Sequence, residues 1–104
     1  MNNLDSVRLN QQMDLLHAKN PILPLYIVIH DVIKSEIISC KMKPGSILKE
    51  NELADAFGVS RTTIRNALDT LKLENFLVQE GRSARITNLT RAQYTQLNEF
   101  RSYM

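Results

Sequence analysis

The stretch that most constrains the fold is residues 52–71, ELADAFGVSRTTIRNALDTL. Apolar residues recur at helical spacing on both sides of Gly58: Leu53 and Phe57 before it, Ile64, Ala67, Leu68 and Leu71 after it. Gly58 stands where a first helix must end, a place that commonly takes positive φ. Val59 is expected to turn inward and close the corner. Ser60 is a good N-cap, its hydroxyl able to accept from the backbone N–H of Thr62 or Thr63. Ala54 is small enough for the following helix to cross closely. The spacing therefore predicts two short helices joined by a tight turn, the second running from Arg61 to about Glu74.

Upstream, residues 24 to about 40 form a clean scaffold helix. Pro24 suits its first turn. Ile27, Val28, Ile29, Val32, Ile33, Ile37 and Ile38 supply an apolar stripe, with Asp31, Lys34, Ser35 and Glu36 mostly opposite. His30 on this helix is read as satisfied or exposed rather than a ligand. Lys43, Pro44 and Gly45 are expected to stop the helix and turn the chain. Residues 46–48 are long enough for one small strand only. Glu50 and Glu52 then suit the positive end of the next helix.

Residues 1–20 are polar, with Leu4, Val7, Met13, Leu15 and Leu16 imperfectly spaced for a helix face. Asp5 or Ser6 is able to cap a helix there. This segment is expected to be an N-terminal appendage, weakly helical or disordered, with His17 on solvated surface.

Downstream, Asn75 falls where a left-handed cap is needed, and Asn tolerates that conformation nearly as well as Gly. Residues 76–79 and 84–87 read as two strands around a tip at residues 80–83, a hairpin wing. Residues 89–104 read as a linker helix: Thr90 and Gln93 make a capping-box pattern, and Tyr94, Leu97, Phe100 or Arg101, and Met104 advance at helical steps. The expected class is α+β, mostly helical: a winged helix-turn-helix over residues 21–88, between the appendage and the linker.

The outward flank of the second helix of the pair carries Arg61, Arg65, Asp69 and Lys72, with Thr62 at its edge. Arginines four apart on the first turns suit a DNA major groove, since the guanidinium fork matches guanine O6 and N7. Ser60, Thr62 and Thr63, with the free N–H groups of the helix start, suit phosphate oxygens. At the wing, Arg82 at the tip and Arg85 on the second strand are placed to touch the adjacent minor groove or backbone. The net charge of +2 decides nothing here; the placement of the charges does.

Composition narrows the alternatives. Cys40 is the single cysteine of 104 residues, so no internal disulfide and no cysteine-based metal cluster is expected. It is read as a small apolar residue at a helix end. No apolar run approaches the ~20 residues of a membrane span, and no secretory signal opens the chain. A cytoplasmic protein without cofactor or metal is expected. There are no paired carboxylates, nucleophile–base set or Gly-rich phosphate loop, so an enzyme is not indicated. Two other readings stay open. One is a winged helix used as a protein–protein interaction module; the other is a complete small regulator dimerising through terminal helices.

The run PGSILKENELADAFGVSRTTIRNALDTLKLENFLV, and above all VSRTTIR at residues 59–65, resembles the GntR family of bacterial transcription regulators, most closely its FadR-like branch. The resemblance covers about residues 25–86. It implies a homodimer on a double-stranded DNA operator with two-fold symmetry. It also implies contacts by Arg61 and Arg65, and a wing tip at Gly81 that reaches the minor groove. Asn51, Asn66 and Ser83 depart from common family residues, respectively a basic residue, a Glu and a second Gly. Residues 98–101, NEFR, look like the entry to a helical effector-binding domain. On that likeness the chain is expected to be a fragment, with any small-molecule effector bound by a domain beyond it.

Overall fold

A computed structural model describes residues 5–87 of the chain. Its elements run α1 (Ser6–Lys19), α2 (Leu25–Ile38), β1 (Ile47–Leu48), α3 (Glu50–Phe57), α4 (Arg61–Leu73), β2 (Leu77–Glu80) and β3 (Ser83–Ile86). The three strands form one antiparallel sheet in the order β1-β3-β2. Leu77 pairs with Ile86 and Glu80 with Ser83, which fixes the wing register, while Ile47 and Leu48 pair with Arg85 and Ala84 on its other edge. The linker helix expected over residues 89–104 lies outside the described residues.

One core holds all of these elements. Val28, Ile29, Val32, Ile33 and Ile37 of α2 meet Leu53 and Phe57 of α3 and Ile64, Ala67, Leu68 and Leu71 of α4, all buried. Leu77, Ala84 and Ile86 close it from the sheet. Ala54 is buried between α3 and α4, where its small side chain permits the close crossing.

The helix ends follow local chemistry. Gly58 lies at φ +70 and its N–H bonds to the Ala54 carbonyl. Asn75 lies at φ +68. Its N–H bonds to the Lys72 carbonyl and that of Phe76 to Leu71, so two orphan carbonyls of α4 are satisfied while Phe76 packs into the core. α2 stops earlier than the Lys-Pro-Gly turn suggests. Cys40, exposed and at φ +63, ends it, with its N–H on the Ile37 carbonyl. Residues 43–45 serve instead to enter β1: Gly45, at φ +83, donates to the Ile86 carbonyl.

The N-terminal segment differs from expectation. Residues 6–19 form a full helix capped by Asp5, whose carboxylate accepts from the Arg8 N–H at 3.1 Å. It is not an appendage, because Leu9 is completely buried and Met13 nearly so, against α2 and α3. Leu9, Met13 and the half-buried Leu16 define the inward stripe; Val7 and Leu15, which blur it in the sequence, point to solvent. Covering that flank also buries Glu36, which helical phase alone puts on the polar side. Its carboxylate accepts from the Arg8 guanidinium and, at 3.1 Å, from Gln12 Nε2. Asn10 adds a side-chain bond to the Ala56 carbonyl of α3. A buried charge is tolerable only with such partners.

Candidate nucleic-acid interface

The corner between α3 and α4 sets the first residues of α4 in place. Ser60, extended at φ −72 and ψ 155, caps the helix: its Oγ accepts from the Thr63 N–H at 3.2 Å and pairs with Thr63 Oγ1 at 2.9 Å. One hydroxyl proton of that pair is consumed between them and the other stays available to an outside acceptor. Thr62 is exposed beside them. Like every helix start, this one also presents backbone N–H groups without intrahelical partners.

With Ile64, Ala67, Leu68 and Leu71 buried, the opposite face of α4 is open. Arg61, Arg65, Asp69 and Lys72 project from it into a groove floored by α4 and walled by the start of α3 and the wing. Lys49, Arg61, Arg65, Lys72 and Arg82 line the groove against only two carboxylates, those of Glu50 and Asp69. The local field is therefore cationic, although the chain as a whole is nearly neutral. Asp69 lies 3.6 Å from Lys72 and moderates its charge.

The wing is tied to this face by polar contacts. Lys72 donates to the Gln79 side-chain oxygen, and Gln79 Nε2 donates in turn to the Gly81 carbonyl at 2.5 Å. Gly81 takes φ +59 at the tip, where L side chains are strained. Arg82 beside it is exposed, while Arg85 is held to Glu80 at 3.1 Å across the hairpin. That contact uses only the Arg85 Nε–H.

Arg65 has a partner that spacing does not suggest. Its Nε donates to Glu50 Oε2 at 3.2 Å and its Nη2 to Glu50 Oε1 at 3.1 Å, a forked pair between α3 and α4. The Glu50 hydrogen bond, and then the charge of that carboxylate, hold the Arg65 guanidinium above its ordinary pKa.

Of the seven expected site residues, Arg61, Arg65, Gly81 and Arg82 converge on the groove, and Ser60, Thr62 and Thr63 stand at the start of α4. Lys49, Asn51, Gln79 and Ser83 also line the groove; Asn51 and Ser83 are two of the departures from the family pattern, whereas Lys49 and Gln79 carry no sequence signal of their own. Lys72 was legible from its place on the flank. Among the described residues, no group of three or more His, Cys, Asp or Glu side chains is placed to hold a metal ion, and no helix is long and apolar enough to cross a membrane.

Helix pair, open cationic helix and hairpin on a small antiparallel sheet together define a winged-helix DNA-binding domain. The model of the gntR family of bacterial regulatory proteins matches residues 25–86, and the chain belongs to that family. It is 33% identical over 79 residues to YdhC of Bacillus subtilis, an uncharacterized HTH-type transcriptional regulator, covering 75% of this chain and 35% of that protein. It is 44% identical over 50 residues to the fatty acid metabolism regulator protein of Shewanella baltica, covering 46% of this chain and 21% of the relative. The chain thus spans about a third or less of the length of these relatives. Among solved structures, YtrA of Sulfolobus acidocaldarius, a GntR-family transcription factor, superposes with a TM-score of 0.64 at 28% identity, over 79% of this chain and 72% of YtrA. The relatives are transcriptional regulators, and the part they share with this chain is the DNA-binding domain.

Proposed function

We propose that α4 lies in the major groove of an operator, with Arg61 and Arg65 reading base edges. Ser60, Thr62, Thr63 and the α4 N-terminus hold phosphates, and Gly81 and Arg82 meet the neighbouring minor groove. Phosphate contacts supply salt-dependent affinity, and the arginines supply sequence preference. The observation that carries this reading is the convergence of Lys49, Arg61, Arg65, Lys72 and Arg82 on one groove beside an exposed helix. On this reading the protein positions itself on DNA and catalyses nothing. Two copies on an operator with two-fold symmetry fit the family, and so does action in the cytoplasm. Effector response then belongs to a further domain of a regulator as long as the relatives.

The test is a fluorescence-anisotropy titration of the chain on a duplex it selects from a random pool, and on a scrambled duplex, across a salt series. Steep loss of affinity with salt on both duplexes is expected, with a clear preference for the selected one. Arg65→Ala should cost about 1–3 kcal/mol on the selected duplex and relax preference at one base pair. Equal loss on both duplexes would rule out base reading by Arg65.

A further inference from the structure

We infer that Glu50 is a positioning residue of this interface: its carboxylate clamps one edge of the Arg65 guanidinium and leaves the opposite fork aimed into the groove, already oriented for a base edge. The inference rests on the reading of Arg65 given above. A guanidinium offers two forks, one built from Nε and Nη2 and one from Nη1 and Nη2. Glu50 occupies the first fork with both of its oxygens, at 3.2 and 3.1 Å. One Nη1 proton and the second Nη2 proton form the other fork, and this is the pair that matches guanine O6 and N7.

The clamp adds modestly to folding: the Arg65 side chain is 59% exposed and that of Glu50 26%, so solvent screens the pair. Its other effect falls on Arg65 itself. An unclamped arginine on the rim of a groove swings toward the nearest phosphate, a contact without sequence information. Glu50 removes that option, since its charge already neutralises the guanidinium and its geometry fixes the plane. It also repels phosphate at the same spot, so binding in the wrong register is penalised. Glu52, two residues on in the same helix turn, carries the same charge without the pair and supplies an internal control.

Four variants of the 104-residue chain separate the cases: Glu50→Gln, Glu52→Gln, Arg65→Ala, and Glu50→Gln combined with Arg65→Ala. Glutamine keeps the length of Glu50 but turns an amide N–H₂ toward Arg65, so it cannot accept the fork. The probes are the duplex selected by the wild-type chain, its single-base-pair variants and a scrambled duplex. Glu50→Gln should lower preference at the base pair read by Arg65 by about five- to tenfold. On scrambled DNA it should bind as well as wild type or about two- to fivefold more tightly, with a log–log salt slope steeper by up to about one. Glu52→Gln should keep the wild-type base preference, and the combined variant should match Arg65→Ala within about twofold.

The outcomes are distinct. If Arg65→Ala relaxes base preference and Glu50→Gln leaves it intact, the clamp is wrong and the reading of Arg65 stands. If Glu50→Gln and Glu52→Gln relax preference equally, net charge rather than aim is responsible, and the inference is overturned. If Arg65→Ala itself leaves every base preference unchanged, both fail.

Discussion

Leu9→Ala tests whether α1 belongs to the folding unit. Leu9 is completely buried where α1 meets α2 and α3. Truncation to Ala removes about three methyl-sized groups, or about 2.4 kcal/mol of transfer free energy. The cavity left behind adds to that, and buried Leu→Ala changes run at about 2–5 kcal/mol. α1 packs by one face only and can settle partly into the gap, so about 2.5–3.5 kcal/mol is expected here. Against a domain stability of about 5–10 kcal/mol this is a large fraction, and the midpoint of thermal unfolding should fall by about 10–25 °C. Urea unfolding followed by circular dichroism gives the free energy directly, with an unchanged m value showing that the same surface is exposed. Leu15→Ala is the control: that side chain is 64% exposed, so its change should stay within about 0.5 kcal/mol. A Leu9→Ala chain as stable as the control would mean that α1 folds and frays independently of the core, and the reasoning from burial would be refuted.

Arg8→Met should destabilise by about 2–4 kcal/mol in the same assay, because it strands the buried Glu36 carboxylate with Gln12 alone; water reaching the vacated rim keeps the cost from going higher. Adding Glu36→Met should recover stability to within about 1 kcal/mol of wild type, since an apolar pair of similar volume needs no partners. Gly58→Ala should cost about 1 kcal/mol by thermal melting, all of it from the backbone at φ +70, because an added Cβ meets nothing within 4 Å. Ser60→Ala should lose about 1 kcal/mol with its cap. Ser60→Asp should keep that stability, yet weaken DNA binding about tenfold or more at low salt by setting a negative charge at the start of α4.

Much of the winged domain was legible because its signals are local. Apolar period marks α2, α3 and α4, and cap chemistry marks Gly58, Ser60 and Asn75, each read over a few neighbouring residues. The same is true of the candidate site along α4, since Arg61 and Arg65 share a flank through helical geometry alone. The wing was legible from its short strands and glycine-bearing tip, although the strands fall at Leu77–Glu80 and Ser83–Ile86 and pair up to Glu80 and Ser83, so the tip is shorter than the expected 80–83.

What stayed hidden joins residues with no spacing rule between them. Arg8 meets Glu36 across 28 positions, and Glu50 meets Arg65 across 15. His30, read only as satisfied or exposed, bonds Asp31 at 2.8 Å and Glu74 at 2.5 Å, the latter 44 positions away. α1 shows the same divide. Leu9, Met13 and Leu16 mark its inner face, but exposed Val7 and Leu15 carry the same apolar character, and period alone cannot say which set is covered. A helix's period comes from its own backbone, whereas the face it buries depends on the surface it meets. The chain's order of residues therefore dictated a reading head with two arginines. Packing of α1, α2 and α3 around it settled which carboxylates are buried, and which one holds Arg65 in its orientation.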